Sequence, residues 1–144
     1  MIEKIVHKKI MLALIVRGKY RKKKGVTFFT PNESTQQFGY MKHNSKHIIK
    51  PHLHKKRLTK IYYTSEVILL LKGLLRVDFY NQLKKYLFSK ILKPNDIIML
   101  VSGGHGFKVL KNVEMLEIKQ GPYNLLKDKV KFDNVKDNFI KIRK

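Results

Sequence analysis

Apolar residues along this chain come in short runs and in alternation, and nowhere with the sustained 3.6-residue period of a long amphipathic helix. Ile2, Ile5 and Val6, followed by the run Ile10 to Val16, predict one or two strands over residues 2–17. Val26 to Thr30 predicts a short strand stopped by Pro31. Gln36 to Met41 and Ile48 to His54 each read as a further strand. Glu66 to Leu71 is nearly continuous apolar sequence, the pattern of a core strand. Lys72-Gly73 predicts a turn into Leu74 to Tyr80, where apolar and polar residues alternate. Asn81-Gln82 predicts a two-residue hairpin connection to a strand over Leu83 to Leu92. Lys93-Pro94-Asn95-Asp96 has turn composition, and Ile97 to Val101 is a second fully apolar run. Phe107 to Leu110 and Val113 to Gln120 complete the strands, with one more expected near Val130-Phe132. The pattern is that of an all-β protein with antiparallel strands.

Candidate chemistry lies in four residues. On a strand, His52 and His54 project from the same face, because side chains alternate with a period of two. Glu66 opens the apolar strand that Gly73 closes. His105 follows the third of these strands, in the glycine-rich turn Gly103-Gly104-His105-Gly106. Three imidazoles and a carboxylate from separate strands converge only if the sheet curls around them, which predicts a metal site inside a small barrel. Such a donor set suits one borderline divalent ion, namely Fe, Mn, Co, Ni or Zn. Four protein ligands on an octahedral ion leave room for water, O2 or a bidentate ligand.

Other residues have both a functional and a structural reading. Gln37, pointing inward, would place its amide among the ligands and hold a substrate; pointing outward, it is an ordinary polar residue. Gln120 and Tyr123 follow the last core strand, where they would reach the barrel mouth as ligand-binding residues or cap the barrel end. Glu114 and Glu117 face opposite ways on a strand, so they form no catalytic pair, and one of them is expected to be buried against a Lys or Arg. His43 and His47, flanking an Asn-Ser turn, read as surface residues. No Ser-His-Asp spacing, phosphate loop or dinucleotide fingerprint is present.

His52-Leu53-His54 with Glu66 to Gly73 resembles the H-x-H and E-x6-G halves of the first cupin motif, and His105 the histidine of the second. The pattern departs in the spacer, with Lys55 to Ser65 standing between His54 and Glu66 as a loop inserted at the barrel rim. The second motif is degraded too: Leu100 replaces its proline, Ser102 a glycine and Val109 its asparagine. Phe28 to Pro31, Gln36 to Met41, Leu75 to Tyr80, Ser102 to Phe107 and Glu117 to Tyr123 are similar to a group of small uncharacterised bacterial cupins. The resemblance spans roughly residues 1–132. It implies a single-domain jelly-roll barrel (double-stranded β-helix) with a core over about residues 26–123, N-terminal strands at 2–17 and a Lys-rich tail at 124–144. It further implies a divalent metal on His52, His54, Glu66 and His105, a small polar or anionic ligand, sugar-derived by analogy, and a homodimer formed by strand exchange or sheet packing. The rivals are a cupin that binds small molecules or plays a structural part without a functional metal, and, behind it, a basic nucleic-acid-binding protein.

Composition narrows these rivals. A chain of 144 residues is one domain by its length. Cysteine is absent, which removes disulfides, thiolate nucleophiles and Cys-type zinc sites and fits a reducing cytoplasm. The run Ile10 to Val16 is far shorter than the about 20 apolar residues of a membrane span, so none is expected. The net charge of +22 invites a polyanion partner, yet only five of the 32 basic residues are Arg. Arg makes the bidentate base and phosphate contacts that specificity needs. Specific nucleic-acid binding is therefore not expected, whereas Lys55, Lys56 and Lys60 would attract phosphate or carboxylate groups of a small ligand.

Overall fold

Among the described residues the apolar runs become eight strands: β1 (Ile2–His7), β2 (Ile10–Val16), β3 (Gly25–Phe28), β4 (Gly39–Lys42), β5 (Glu66–Tyr80), β6 (Tyr86–Leu92), β7 (Ile97–Leu100) and β8 (Gly104–Lys119). A 3-10 turn at Asp137–Phe139 follows. The structure is a computed structural model that describes residues 1–22, 24–124 and 128–144. Lys23 of the charged Gly18–Gly25 turn and residues 125–127 of the Lys-rich tail lie outside the described residues. No α-helix occurs among the described residues, and no helix is long and apolar enough to cross a membrane. The chain divides into a larger unit, residues 1–20 with 63–144, and a smaller one, residues 21–62.

In the larger unit all sheet pairings are antiparallel, and the strands run β1-β2-β7-β5-β6 with β8 on the opposite edge of β5. β5 is the organising strand because it is long enough to serve two neighbours in succession. Glu66 to Leu69 pair with β7, Leu75 to Tyr80 pair with β6, and β8 follows β5 from Glu66↔Lys119 to Tyr80↔Gly104. The sheet curls into a half-barrel. Its concave face buries Ile5, Leu12, Ile15, Ile68, Leu70, Leu75, Val77, Phe79, Phe88, Leu92, Ile98 and Leu100 as one cluster. Each such side chain stabilises the fold by about 1.5–3 kcal/mol on leaving water.

The turn expected at Lys72-Gly73 is instead a bend inside the continuous strand β5. Gly73 has φ +92°, and the β5–β8 register shifts on both sides of it. A glycine in the left-handed region lets the strand change direction without leaving the ladder. The two-residue hairpin at Asn81-Gln82 is longer than expected, with β6 beginning only at Tyr86. Asn81 explains this: its Oδ1 accepts the backbone N–H of Leu83 (2.9 Å) and of Lys85 (3.0 Å), so the side chain stands in for backbone partners. The strand expected at Val130–Phe132 is absent. The tail instead lays Ile142 beside Ser89 as an isolated parallel bridge.

That tail is tied down by charge as well as by backbone. Arg76 donates two hydrogen bonds to Asp78, at 2.8 and 3.0 Å, and a third to Asp137 at 3.2 Å. Tyr80 Oη accepts the Val135 N–H (3.1 Å), and the Tyr80 ring meets Phe132 edge-on at 5.0 Å. A second network ties the two ends of the chain together: Arg17 bridges Glu3 and Asp96, and Lys90 donates both to Glu3 and to the Lys144 carbonyl. Burial alone would push the Glu3 carboxyl up, but hydrogen bonds from Arg17 and Lys90 hold it below its ordinary value.

The smaller unit is a two-stranded hairpin, β3 with β4, followed by residues 43–62 without a strand. The strand expected over Ile48–His54 does not form. Alternation alone makes no strand: each backbone N–H and C=O needs a neighbour, and Pro51 has no N–H to offer one.

Candidate functional site: the Glu66–His105 pair

Glu66 and His105 are far apart on the β5–β8 ladder yet touch. Glu66 lies opposite Lys119 and His105 opposite Phe79. In a flat ribbon the stretch from Glu66 to Phe79 would span about 40 Å at the usual strand rise. Instead His105 Nε2 lies 3.1 Å from Glu66 Oε2. The bend at Gly73 therefore folds the ribbon back on itself and brings its two ends together on the concave face. His105 is a strand residue and not the turn residue expected, because β8 already begins at Gly104.

Glu66 is 5% exposed, and its carboxylate carries a second contact, with Lys129 Nζ at 3.5 Å. The hydrogen bond from His105 holds its carboxyl below the ordinary value; burial opposes this, and the charge of Lys129 reinforces it. A carboxyl depressed in the folded protein contributes stability above its unfolded value of 4.5, and that contribution is lost as the pH falls through the folded value. The stability lead of wild type over Glu66→Gln should thus be largest above pH 4.5 and shrink below it. Urea midpoints of both proteins across that range would check this, and a constant difference would refute it.

The surroundings are basic and aromatic. Lys119 Nζ stands 4.5 Å from the centre of the Tyr123 ring and 3.8 Å from Asp128 Oδ2. Tyr123 is itself exposed. Gln120 closes the end of the ladder, accepting the Ser65 N–H on its side-chain oxygen (3.0 Å) and donating its own N–H to the Ser65 carbonyl (3.3 Å). Phe107 lies beside His105, ring centres 5.4 Å apart.

His52 and His54 belong to the smaller unit. Their rings meet edge to face at 5.2 Å, and His52 Nδ1 lies 3.0 Å from the Lys50 carbonyl. Both are exposed and lie outside any strand. The nearby His43 and His47 are stacked in parallel at 4.1 Å. Gln37 is occupied by its own loop: Thr30 Oγ1 donates to its side-chain oxygen (3.0 Å), and its amide donates to the carbonyls of Pro31, Asn32 and Ser34. Glu114 and Glu117 are both exposed, so neither is the buried partner expected; Glu114 pairs with Lys72 at 3.2 Å. Among the described residues, neither unit by itself gathers three or more His, Asp or Glu side chains that could hold a metal ion.

No family model, curated protein or solved structure matches this chain. Its function must therefore be argued from the residues themselves. Lys129 and Lys119 are members of the site that sequence reasoning did not single out. The signal for Lys119 was the ladder register, which sequence does not print. Lys129 sits in a tail whose path depends on tertiary contacts.

Proposed function

We propose that this chain is a cupin-like protein that binds a divalent metal ion and a small polar or anionic ligand at the Glu66–His105 site. The observation that carries the reading is the buried Glu66 carboxylate joined to His105 at the closed end of the curled ribbon. A carboxylate oxygen and an imidazole nitrogen are suitable donors for a borderline divalent ion, and both come from the two longest strands. Glu66 and His105 would hold the ion, with water or the ligand filling its remaining positions. When bound, the ion would act as a Lewis acid toward an oxygen of the ligand. Glu66, kept ionised, contributes the negative charge. Lys129 and Lys119 supply positive charge beside it for a phosphate or carboxylate group, of a sugar derivative or another small acid.

The test is the elemental metal content of protein purified without a histidine tag. Near-stoichiometric metal is expected in wild type, with loss of most of it in Glu66→Gln and little change in His52→Ala/His54→Ala. Metal retained in Glu66→Gln but lost in His52→Ala/His54→Ala would overturn the assignment of the ion to Glu66 and His105. Absence of metal from all three, with the fold intact, would overturn the metal reading. One observation favours a metal-free alternative: Lys129 already compensates the Glu66 charge. A melting temperature unmoved by chelation, together with binding of inorganic phosphate that Lys129→Ala weakens, would support that alternative.

A further inference from the structure

The smaller unit differs from the larger one in charge as well as in packing. Residues 21–62 hold eleven Lys or Arg and one acidic residue, Glu33, whereas the other nine acidic residues all belong to the larger unit. Over residues 44–62 every residue is exposed, and none lies in a strand. That exposure includes side chains a packed loop would bury. Ile48, Ile49, Leu53, Leu58, Ile61 and Tyr62 are each at least 48% exposed, and Leu53 reaches 96%. Apolar residues exposed singly are ordinary, but a run of them marks a surface that meets a partner. Each of these six stands within two positions of a Lys or Arg, and Lys60 Nζ lies 5.0 Å from the centre of the Tyr62 ring. The hairpin repeats the arrangement. Val26 pairs with Met41 and Phe28 with Gly39, so Val26, Phe28 and Met41 share one face, and all three are exposed. Lys24 and Lys42 stand exposed at the open end of that hairpin.

Interleaved aliphatic and basic side chains suit an anionic lipid surface better than a nucleic acid. Aliphatic groups gain little beside phosphates in water, but they gain by entering the acyl boundary beneath lipid headgroups. Nine of the eleven cations are Lys. Lys is a point charge sufficient for headgroups, whereas nucleic-acid binding favours Arg and stacked aromatic rings. Its long apolar stem also lets the ammonium stay among the phosphates while a neighbouring Ile or Leu inserts. A segment without ladder partners needs water or headgroups for its backbone N–H and C=O groups. It would therefore lie in the interface and not cross the hydrocarbon.

We infer that residues 44–62, with the exposed face of the hairpin, form a docking surface for a bilayer rich in anionic lipid headgroups. The full chain should co-sediment with vesicles of phosphatidylcholine and phosphatidylserine, and not with vesicles of phosphatidylcholine alone. Lys55→Gln/Lys56→Gln/Arg57→Gln should weaken that binding about a hundredfold at physiological salt. Ile48→Ser/Ile49→Ser/Leu53→Ser/Leu58→Ser keeps every charge and should still lose most of the binding. Its loss should be plainest at raised salt, where screening removes the electrostatic share. The chain has no Trp, so Leu53→Trp gives a lone reporter whose emission should shift to the blue with the anionic vesicles. All the substituted side chains are exposed, and circular dichroism would confirm that each variant stays folded. Absence of wild-type binding to the anionic vesicles, or binding that the serine variant keeps in full, would overturn the inference. So would binding of single-stranded RNA that the serine variant leaves unchanged, without any blue shift on vesicles; that outcome would assign the surface to a nucleic acid.

Discussion

Replacing Gly73 by alanine should destabilise the protein by at least about 3 kcal/mol and uncouple the Glu66–His105 contact. Two separate effects add. At φ +92° a side chain is strained, which costs roughly 1–2 kcal/mol for an L-residue. A Cβ built there would also lie 2.0 Å from the Asn112 carbonyl oxygen and 2.5 Å from that of Lys111. These are backbone atoms of the paired strand, so neither can rotate aside as a side chain would. Relief requires β8 to move off β5 at the bend. Because that bend folds Glu66 and His105 onto each other, the same movement should separate them. Urea unfolding would measure the loss of stability. The pH dependence that distinguishes wild type from Glu66→Gln should also flatten in the Gly73→Ala background. A Gly73→Ala protein as stable as wild type would show that the bend is soft and that another feature brings the ribbon ends together.

This bend marks the boundary of what local pattern conveys. Apolar runs such as Ile10 to Val16 and Ile97 to Leu100 are legible because no other element accommodates so many consecutive apolar residues between turn signals. The Lys93–Asp96 turn is legible for a similar reason, and Asn95 does adopt a positive φ of 67°. Lys72-Gly73 carries the same kind of signal but means something else. A glycine with positive φ serves equally in a turn and in a bulge, and only the pairing partner distinguishes them. Ile48 to His54 fails in the opposite sense, since its alternation is that of a strand while its ladder partner is missing. As for the site, Glu66 and His105 were both identifiable by residue type. Their distance on the ladder was not legible, because β5 and β8 read as interrupted strands. His52 and His54, read together on one strand face, are brought close to each other, though in a segment that is not a strand.

Removing the Asp78 carboxylate should cost about 3–5 kcal/mol, the magnitude for breaking a buried ion pair at one end. Arg76 and Asp78 have side chains 9% and 5% exposed, and Asp78 also accepts the hydroxyl of Ser89, which is itself fully buried. Asp78→Ala would leave the guanidinium without its buried partner, and the Ser89 hydroxyl with Tyr86 Oη (2.8 Å) alone. Asp137, the other partner of Arg76, is too exposed to compensate, with a side chain 67% exposed. The two carboxylates touch the same arginine, yet burial makes their removal unequal: Asp137→Ala should shift the melting temperature only slightly, whereas Asp78→Ala should lower it by roughly 10–20 °C. The double variant Arg76→Met/Asp78→Leu, which removes both charges and keeps volume, should recover most of that loss. Calorimetry on the four proteins decides the matter. If the double variant is as unstable as Asp78→Ala alone, the pair holds the tail through geometry that apolar side chains cannot replace. If Asp78→Ala itself is mild, Arg76 must find water, and the outer face of β5 and β6 is wetter than its burial implies.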